Sequence, residues 1–545
     1  MAAMNDGKTI SHSIGDRSDP VLEMTVGDAL RHAAREWGSR PALADGSAVG
    51  ARRWSFADLL RDAEQVAHAL RRLFGQGEHV AVWAPNSPEW IVLEFGAALA
   101  GLTLVTVNPA YQANELAYVL DQSEAVGLFA VAEYRGRDLL AVVRDVQSRL
   151  SHLRHVISFA DWREFVAAPT RRVDLAAVTP DDVAQIQYTS GTTGFPKGAL
   201  LSHRGLVNNA RFFARCIGAA SDDVWVNPMP LFHTAGCGLV TLGALQTGGA
   251  QVLLPGFDAA RILALIEKER ATIALGVPTM LIGMLECPDF AERDLSSLRL
   301  VASGGSPVSP ELVRRVEREM GADMAIGYGQ TEASPYITHT VPGESMPDWA
   351  ATVGRPLPWS EVKIVDPESG LTLPIGQAGE ICTRGYAVMK GYFNKPEATA
   401  VALDPDGWLH TGDLGSMDAM GYCRVVGRLK DMIIRGGENI YPREIEELLC
   451  SHPQVADAAV VGVPDKTWGE IPVAFIRSIG ASPSEQDLSG FCRQHLASYK
   501  TPRHWRFVDR FPQTASGKVQ KFALRDAFQS DDGGVVAKQG TASDD

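Results

Sequence analysis

The chain has 545 residues, 45% apolar and 21% charged, and single hydrophobic cores stop growing at about 250–300 residues, so it forms at least two domains and is not disordered as a whole. Its 51 Lys+Arg against 65 Asp+Glu leave a formal net charge of −14, which excludes nucleic acid as a partner, because neutralising phosphates needs clustered basic side chains. Seven cysteines, at least 21 residues apart and without a C-x-x-C pair, offer no zinc-ligand spacing and fit reduced thiols in a cytoplasmic protein.

Residues 1–24 are polar, lack the apolar h-region of a secretory signal, and read as a disordered or loosely packed segment. From Phe56 to Leu73 apolar positions recur at helical spacing, and short apolar runs follow at 80–83, 104–107, 252–254 and 298–302. Strands alternating with helices imply parallel sheets covered on both faces, an α/β fold. The stretch 224–257 holds no Asp, Glu, Lys or Arg, yet Asn227, Pro228, Pro230, His233 and Gln246 interrupt it. It reads as buried loop, strand and helix, not as a membrane span.

Near residue 360 the texture becomes β-rich, with runs at 362–366 and 379–382. Beyond Gly427-Arg428-Leu429-Lys430-Asp431, Pro442 opens a helix with Ile445, Leu448 and Leu449 on one face. Strand-like runs at 458–461 and 472–476 and a helix at 488–496 complete a small α+β unit. The expected organisation is a large N-terminal domain over 25–429, built of parallel-sheet α/β subdomains plus a β-rich subdomain. A small α+β C-terminal lid domain over 430–528 and a disordered tail over 529–545 follow.

The most informative segment is Tyr188-Thr189-Ser190-Gly191-Thr192-Thr193-Gly194-Phe195-Pro196-Lys197-Gly198. Glycines let backbone N–H groups approach an anion, while hydroxyls and Lys197 add donors, so the composition is that of a polyphosphate cradle. A polar surface loop has the same composition. It is not a Walker A loop, because Pro196 and Gly198 flank the lysine.

This signature resembles that of the adenylate-forming superfamily, the AMP-binding enzymes that include acyl-CoA synthetases, luciferases and peptide-synthetase adenylation domains. The resemblance runs from about residue 25 to about 527, and further motifs fall in the family's order. It implies that Thr189, Ser190, Gly191, Thr192, Thr193, Gly194 and Lys197 hold the ATP phosphates. In Gly327-Tyr328-Gly329-Gln330-Thr331-Glu332, Gly327 and Gly329 belong to the nucleotide site. Tyr328 would stack on adenine, Thr331 contact the α-phosphate and Glu332 hold Mg2+, as a hard cation asks of a carboxylate. A tight turn before a helix capped by Thr331 is the plain alternative.

By the same resemblance, Gly304 and Gly305 line the adenine and acyl pocket, and Asp413 accepts the ribose hydroxyls with Arg428 beside it. His233, Thr234 and Gly236, with Gly329, line the acid site, although a lone histidine in an apolar stretch is more often a core residue. Lys518, in Gln513-Thr514-Ala515-Ser516-Gly517-Lys518, would be the adenylation lysine that bridges two anions. Lys430 would be the hinge of a mobile lid and Gly437 a weak contact to coenzyme A. The catalytic set is therefore Lys518, Glu332, Thr331 and Lys197.

The expected activity is that of an ATP-dependent acid:CoA ligase: acid, ATP and CoA give acyl-CoA, AMP and pyrophosphate through an acyl-adenylate, with Mg2+. The uncharged stretch around His233 points to an apolar acid, a fatty acid first, with an aryl or alicyclic acid as the alternative. An acyl-AMP ligase loading a carrier-protein thiol is a second reading. A catalytically silent nucleotide-binding module is a third, against which stand Lys197, Glu332, Asp413 and Lys518, all present. Peripheral membrane contact is compatible with a fatty acid, but no amphipathic basic helix marks it.

Overall fold

In a computed structural model, the described residues are 9–47, 52–167, 174–175, 177–189, 196–344, 349–436, 438–513 and 519–530. They form two compact units, one of Met1–Lys363, Cys382–Thr411 and Asp418–Cys423, the other of Ile364–Ile381, Gly412–Met417 and Arg424–Asp545.

Helices in the first unit begin where the sequence supplies caps. In Phe56–Leu73 the Ser55 hydroxyl accepts the Asp58 N–H at 3.1 Å and the Asp58 carboxylate accepts the Ser55 N–H at 3.2 Å, closing a capping box. Phe56, Leu59, Ala63, Val66 and Leu70 then form its buried face. The next helix, Pro88–Ala100, has proline in its first turn and a Ser87 cap, and every residue but Glu89 is buried, with Glu94 the one charged type among them, so it lies between layers.

Two sheets carry the first unit's core. A six-stranded sheet runs in the order Lys197–Ser202, Val183–Thr189, Thr103–Val107, His79–Trp83, Gly127–Ala130, His155–Ser158. Every pairing in it is parallel except that of Val183–Thr189 with Lys197–Ser202. A nine-stranded sheet runs Arg355–Pro356, Tyr336–His339, Asp323–Gly329, Leu300–Gly304, Ile273–Leu275, Val224–Asn227, Ala250–Leu253, Pro41–Asp45, Arg53–Ser55. Its six inner strands, from Asp323–Gly329 to Pro41–Asp45, are parallel. Their C-terminal ends therefore share one edge, where ligands bind in open α/β sheets. A five-stranded sheet orders His12–Ile14, Ser360–Val365, Gly379–Gly385, Leu409–Met417 and Cys423–Arg428.

The uncharged stretch folds as expected into buried strand, loop and helix: Val224–Asn227, then Ala235–Leu242 in π-helical geometry, then Gly243–Thr247 and Ala250–Leu253. Among the described residues, no helix is long and apolar enough to cross a membrane. In the second unit, strands Glu438–Ile440, Ile433–Arg435, Gly469–Ser478 and Val455–Asp465 lie in that order, with His504–Phe507 pairing parallel to Gly469–Ser478. Helices Pro442–Cys450 and Glu485–His495 bury Ile445, Leu449, Leu488 and Cys492 against Ile433, Val460 and Ile476. Burying one such Leu or Ile is worth about 1.5–3 kcal/mol, against about 0.5–1 kcal/mol of lost side-chain entropy.

Candidate active site

The strands on either side of the phosphate loop form an antiparallel pair whose register sets Thr189 opposite Lys197 and Tyr188 opposite Gly198. Ser190, Gly191, Thr192, Thr193 and Gly194 lie outside the described residues. The Lys197 ammonium stands 4.8 Å from the centroid of the Tyr392 ring. That ring's hydroxyl donates to Glu332 Oε1 at 2.6 Å. Burial and the Glu332 charge both push the Tyr392 phenol up, so it stays a donor. Main-chain bonds hold Tyr392 in place: Phe393 N–H donates to Gly198 O at 2.8 Å, Leu200 N–H to Gly391 O at 2.9 Å and Met389 N–H to Glu332 O at 2.8 Å. The sequence reading missed Tyr392. Its one signal is an aromatic residue set in Gly-Tyr-Phe-Asn-Lys-Pro punctuation.

Gly304 ends one parallel strand beside Gly327 of the next. A Cβ on Gly304 would lie 2.4 Å from the Gly327 carbonyl oxygen, and one on Gly329 would lie 1.9 Å from the Pro335 oxygen. Only glycine permits these approaches. Gly305 adopts φ +74°, and Tyr328 is buried on the strand whose end continues into a 3₁₀ turn, Thr331–Ala333. Thr331 and Glu332 are both buried there. This turn replaces the capped α-helix that was the plain alternative. Asn209 fastens the turn from beneath, donating to Tyr336 O at 2.7 Å and accepting from Tyr336 N–H at 3.1 Å. Among the described residues the buried hydroxyls of Ser303 and Thr234 have no hydrogen-bond partner, and such groups are costly unless a ligand or water satisfies them.

His233, Thr234 and Gly236 follow the strand Val224–Asn227, and buried polar side chains pin their segment from several sides. Asn86 donates to Met229 O and accepts from Leu231 N–H at 2.9 and 2.8 Å, and Thr106 donates to Phe232 O at 2.9 Å. Thr241 donates to Gly236 O at 2.9 Å, and His233 Nδ1 accepts the Ala235 N–H at 3.3 Å. Behind them Glu94 accepts from Gln185 at 2.7 Å, Gln185 from Gln187 at 2.6 Å, and Gln187 donates to Cys237 Sγ at 3.3 Å. Burial pushes the Glu94 carboxyl and the Cys237 thiol well up, disfavouring charge at both ends of this chain of amides.

In the second unit Asp413 Oδ1 lies 3.4 Å from Arg428 Nε, and the preceding Gly412 N–H donates to Glu380 Oε1 at 3.0 Å. Lys430 is in the 3₁₀ turn Leu429–Asp431 that follows. Gly437 and Lys518 lie outside the described residues.

A buried carboxylate, a nearby ammonium, unpartnered hydroxyls and backbone left bare by glycine form a donor set that fits a polyphosphate with a divalent cation. Comparison with known proteins agrees. The family model described as "AMP-binding enzyme" matches residues 30–393, and "AMP-binding enzyme C-terminal domain" matches 444–518. YngI of Bacillus subtilis (strain 168), which carries a provisional acyl-CoA synthetase name, is 42% identical over 538 residues, covering 93% of this chain and 97% of its own. The mitochondrial medium-chain acyl-CoA ligase ACSF2 of Rattus norvegicus is 36% identical over 95% of this chain and 90% of its own. Among solved structures, ATP-bound MatB from Rhodopseudomonas palustris superposes with a TM-score of 0.84 at 30% identity, over 93% of this chain and 99% of its own. The chain belongs to the AMP-binding enzyme family, the adenylate-forming enzymes.

Proposed function

We propose that the acid activated by this chain is apolar, a fatty acid first, and that CoA is the thiol to which it passes. The enzyme is an AMP-forming acyl-CoA ligase that uses ATP, Mg2+ and CoA. The observation that carries the choice of acid is the wall behind His233: residues 234–245 are all buried and carry no charge, Gly236 lets the Pro230 carbonyl pack against its backbone, and a Cβ on Gly238 would meet nothing nearer than 3.9 Å. A named medium-chain relative supports the aliphatic choice. An alicyclic acid is the second reading, favoured by 38% identity over 92% of the chain to a (7a-methyl-1,5-dioxo-octahydroindenyl)propanoyl:CoA ligase of Rhodococcus jostii (strain RHA1).

In this reading Thr189, Lys197 and the loop 190–194 hold the β- and γ-phosphates. Gly304, Gly305, Gly327, Tyr328 and Gly329 take the adenosine and the acyl group, and Thr331 takes the α-phosphate. Glu332, fixed by Tyr392, offers the oxygen for Mg2+, which neutralises phosphate charge when bound. Asp413 and Arg428 take the ribose. His233, Thr234 and Gly236 border the carboxylate. Lys518 lowers the repulsion between carboxylate and α-phosphate. Lys430 is the hinge between residues 25–429 and 430–528, and Gly437 lets the pantetheine arm pass. Cytoplasmic location is part of the proposal, supported by seven cysteines, none of them in a disulfide and four of them buried.

Mass spectrometry after incubation with ATP, Mg2+, CoA and acids from acetate to long-chain, aryl and alicyclic tests the reading. An acyl-CoA matched by AMP is expected for medium-length fatty acids. Acyl-adenylate without thioester would move the acceptor to a carrier-protein thiol. Preference for an alicyclic acid would overturn the fatty-acid choice. Lys518→Ala should abolish adenylate formation and spare thioester formation from synthetic acyl-AMP; loss of both half-reactions would remove Lys518 from its role.

A further inference from the structure

The helix Ala113–Gln122 holds none of the motif residues, yet it touches both ends of the phosphate loop. Tyr188, one residue before Thr189, donates its hydroxyl to Gln122 Oε1 at 2.5 Å, with the Val119 carbonyl 3.2 Å away. At the other end Tyr118 donates to the carbonyl of Pro196, one residue before Lys197, at 3.0 Å. The helix is itself well seated. Leu116, Val119 and Leu120 share its buried face, and Glu115 closes its first turn by accepting the Gln112 N–H at 2.8 Å.

The same Gln122 side chain acts in a second direction. Its Nε2 donates to the Phe393 carbonyl at 2.7 Å, while the Phe393 N–H donates to Gly198 O at 2.8 Å. Both main-chain polar groups of the residue after Tyr392 are thereby tied down beside the loop. The next residue, Asn394, donates to Glu124 Oε1 at 2.9 Å, a second link from the end of the same helix. Burial raises the Tyr188 phenol, so it remains a donor, and the Phe393 carbonyl can only accept. Joining the two takes a side chain that accepts at one atom and donates at another. A primary amide does both, whereas a glutamate of the same length only accepts and a lysine only donates.

Donors that already stand in place bind an anion without the cost of ordering them on arrival. We propose that Gln122, with Tyr118, is a positioning residue for ATP. From one helix it fixes both ends of the phosphate loop and, through Phe393, the Tyr392 ring that faces Lys197 and Glu332. Gln122 acts through Tyr188 and Phe393, not on the nucleotide. The assignment rests on the loop being the phosphate site.

The test is ATP–pyrophosphate exchange in the full chain, with MgATP and the acid varied in turn and each fold checked by Tm. Gln122→Leu removes both hydrogen bonds and should raise KM for MgATP about tenfold, with KM for the acid changed less than about twofold. Gln122→Glu keeps the acceptor for Tyr188 and should recover part of that loss. Tyr118→Phe removes one hydroxyl and should raise KM for MgATP about threefold. Thioester formation from synthetic acyl-AMP and CoA involves no polyphosphate and should keep its kcat/KM in Gln122→Leu. If Gln122→Leu fails to fold, Tyr188→Phe makes the same comparison with an expected rise of about threefold. An unchanged KM for MgATP, or equal changes in both KM values, would overturn the positioning role. Lys197→Ala tells that failure from a failure of the loop assignment: if it too leaves KM for MgATP unchanged, the loop is not the phosphate site and the role of Gln122 falls with it.

Discussion

The phenol of Tyr392 donates to the Glu332 carboxylate at 2.6 Å, and the same ring lies 4.8 Å from the Lys197 ammonium. One side chain thus fixes both the carboxylate proposed for Mg2+ and the lysine proposed for the phosphates. Tyr392→Phe keeps the ring and removes the hydrogen bond. A bond to a charged group is worth about 1.5–3 kcal/mol, so KM for MgATP should rise about tenfold or more in pyrophosphate exchange. Tyr392→Leu also removes the ring face and should cost more. Equal KM values for wild type and Tyr392→Phe would detach Tyr392 from the site.

Two glycines should respond to alanine in opposite directions. Gly329 would bring a Cβ within 1.9 Å of the Pro335 oxygen, a backbone atom that cannot rotate away. Gly329→Ala should destabilise the fold by about 1–3 kcal/mol and weaken ATP binding. Gly490 sits inside the helix Glu485–His495, with nothing within 4 Å of the point a methyl group would occupy. Gly490→Ala should stabilise by about 0.5–1 kcal/mol, because alanine loses less backbone entropy in a helix. Denaturant midpoints decide both signs.

Asp413 and Arg428 are 3.4 Å apart, and a ribose would share that carboxylate. Asp413→Ala should raise KM for ATP about tenfold or more and KM for the acid far less. Equal changes in the two constants would remove Asp413 from the nucleotide.

His203 is buried with Nδ1 accepting the Val26 N–H at 3.2 Å, and burial holds its pKa down at about 4, from 6.5, against the pull of Asp182 and Asp28. The unfolded chain therefore takes up a proton first as pH falls. The stability present above pH 6.5 is lost on the way down to about pH 4, at roughly 1.4 kcal/mol per pH unit. Against His203→Gln, the wild type should lose about 2 kcal/mol more between pH 7 and 5. The comparison cancels Glu94, whose raised pKa gives the opposite slope, and His339, which is depressed like His203. Parallel slopes in thermal melts would show that His203 is not held neutral.

Much of this protein is local and can be read along the chain. Ser55 and Asp58 specify a capping box three residues apart, Pro442 opens a helix, and alternation marks the strand that leads to Thr189, because each depends on near neighbours only. Gly304, Gly327, Gly329 and Glu332 were singled out by the resemblance of their motifs, in order along the chain, to those of the family; their local spacing alone fits a plain turn equally well.

What only the tertiary structure decided is long-range. Pro41–Asp45 lies parallel to Ala250–Leu253 across some 200 residues of chain, and no periodicity encodes which strand is a neighbour. Tyr392 reaches Glu332 from 60 residues away, Asn86 pins the His233 segment from 143, and Gln122 on one helix joins Tyr188 to Phe393. Hydrogen bonds and ion–ring contacts need groups within a few ångströms at set angles, and folding alone sets those distances.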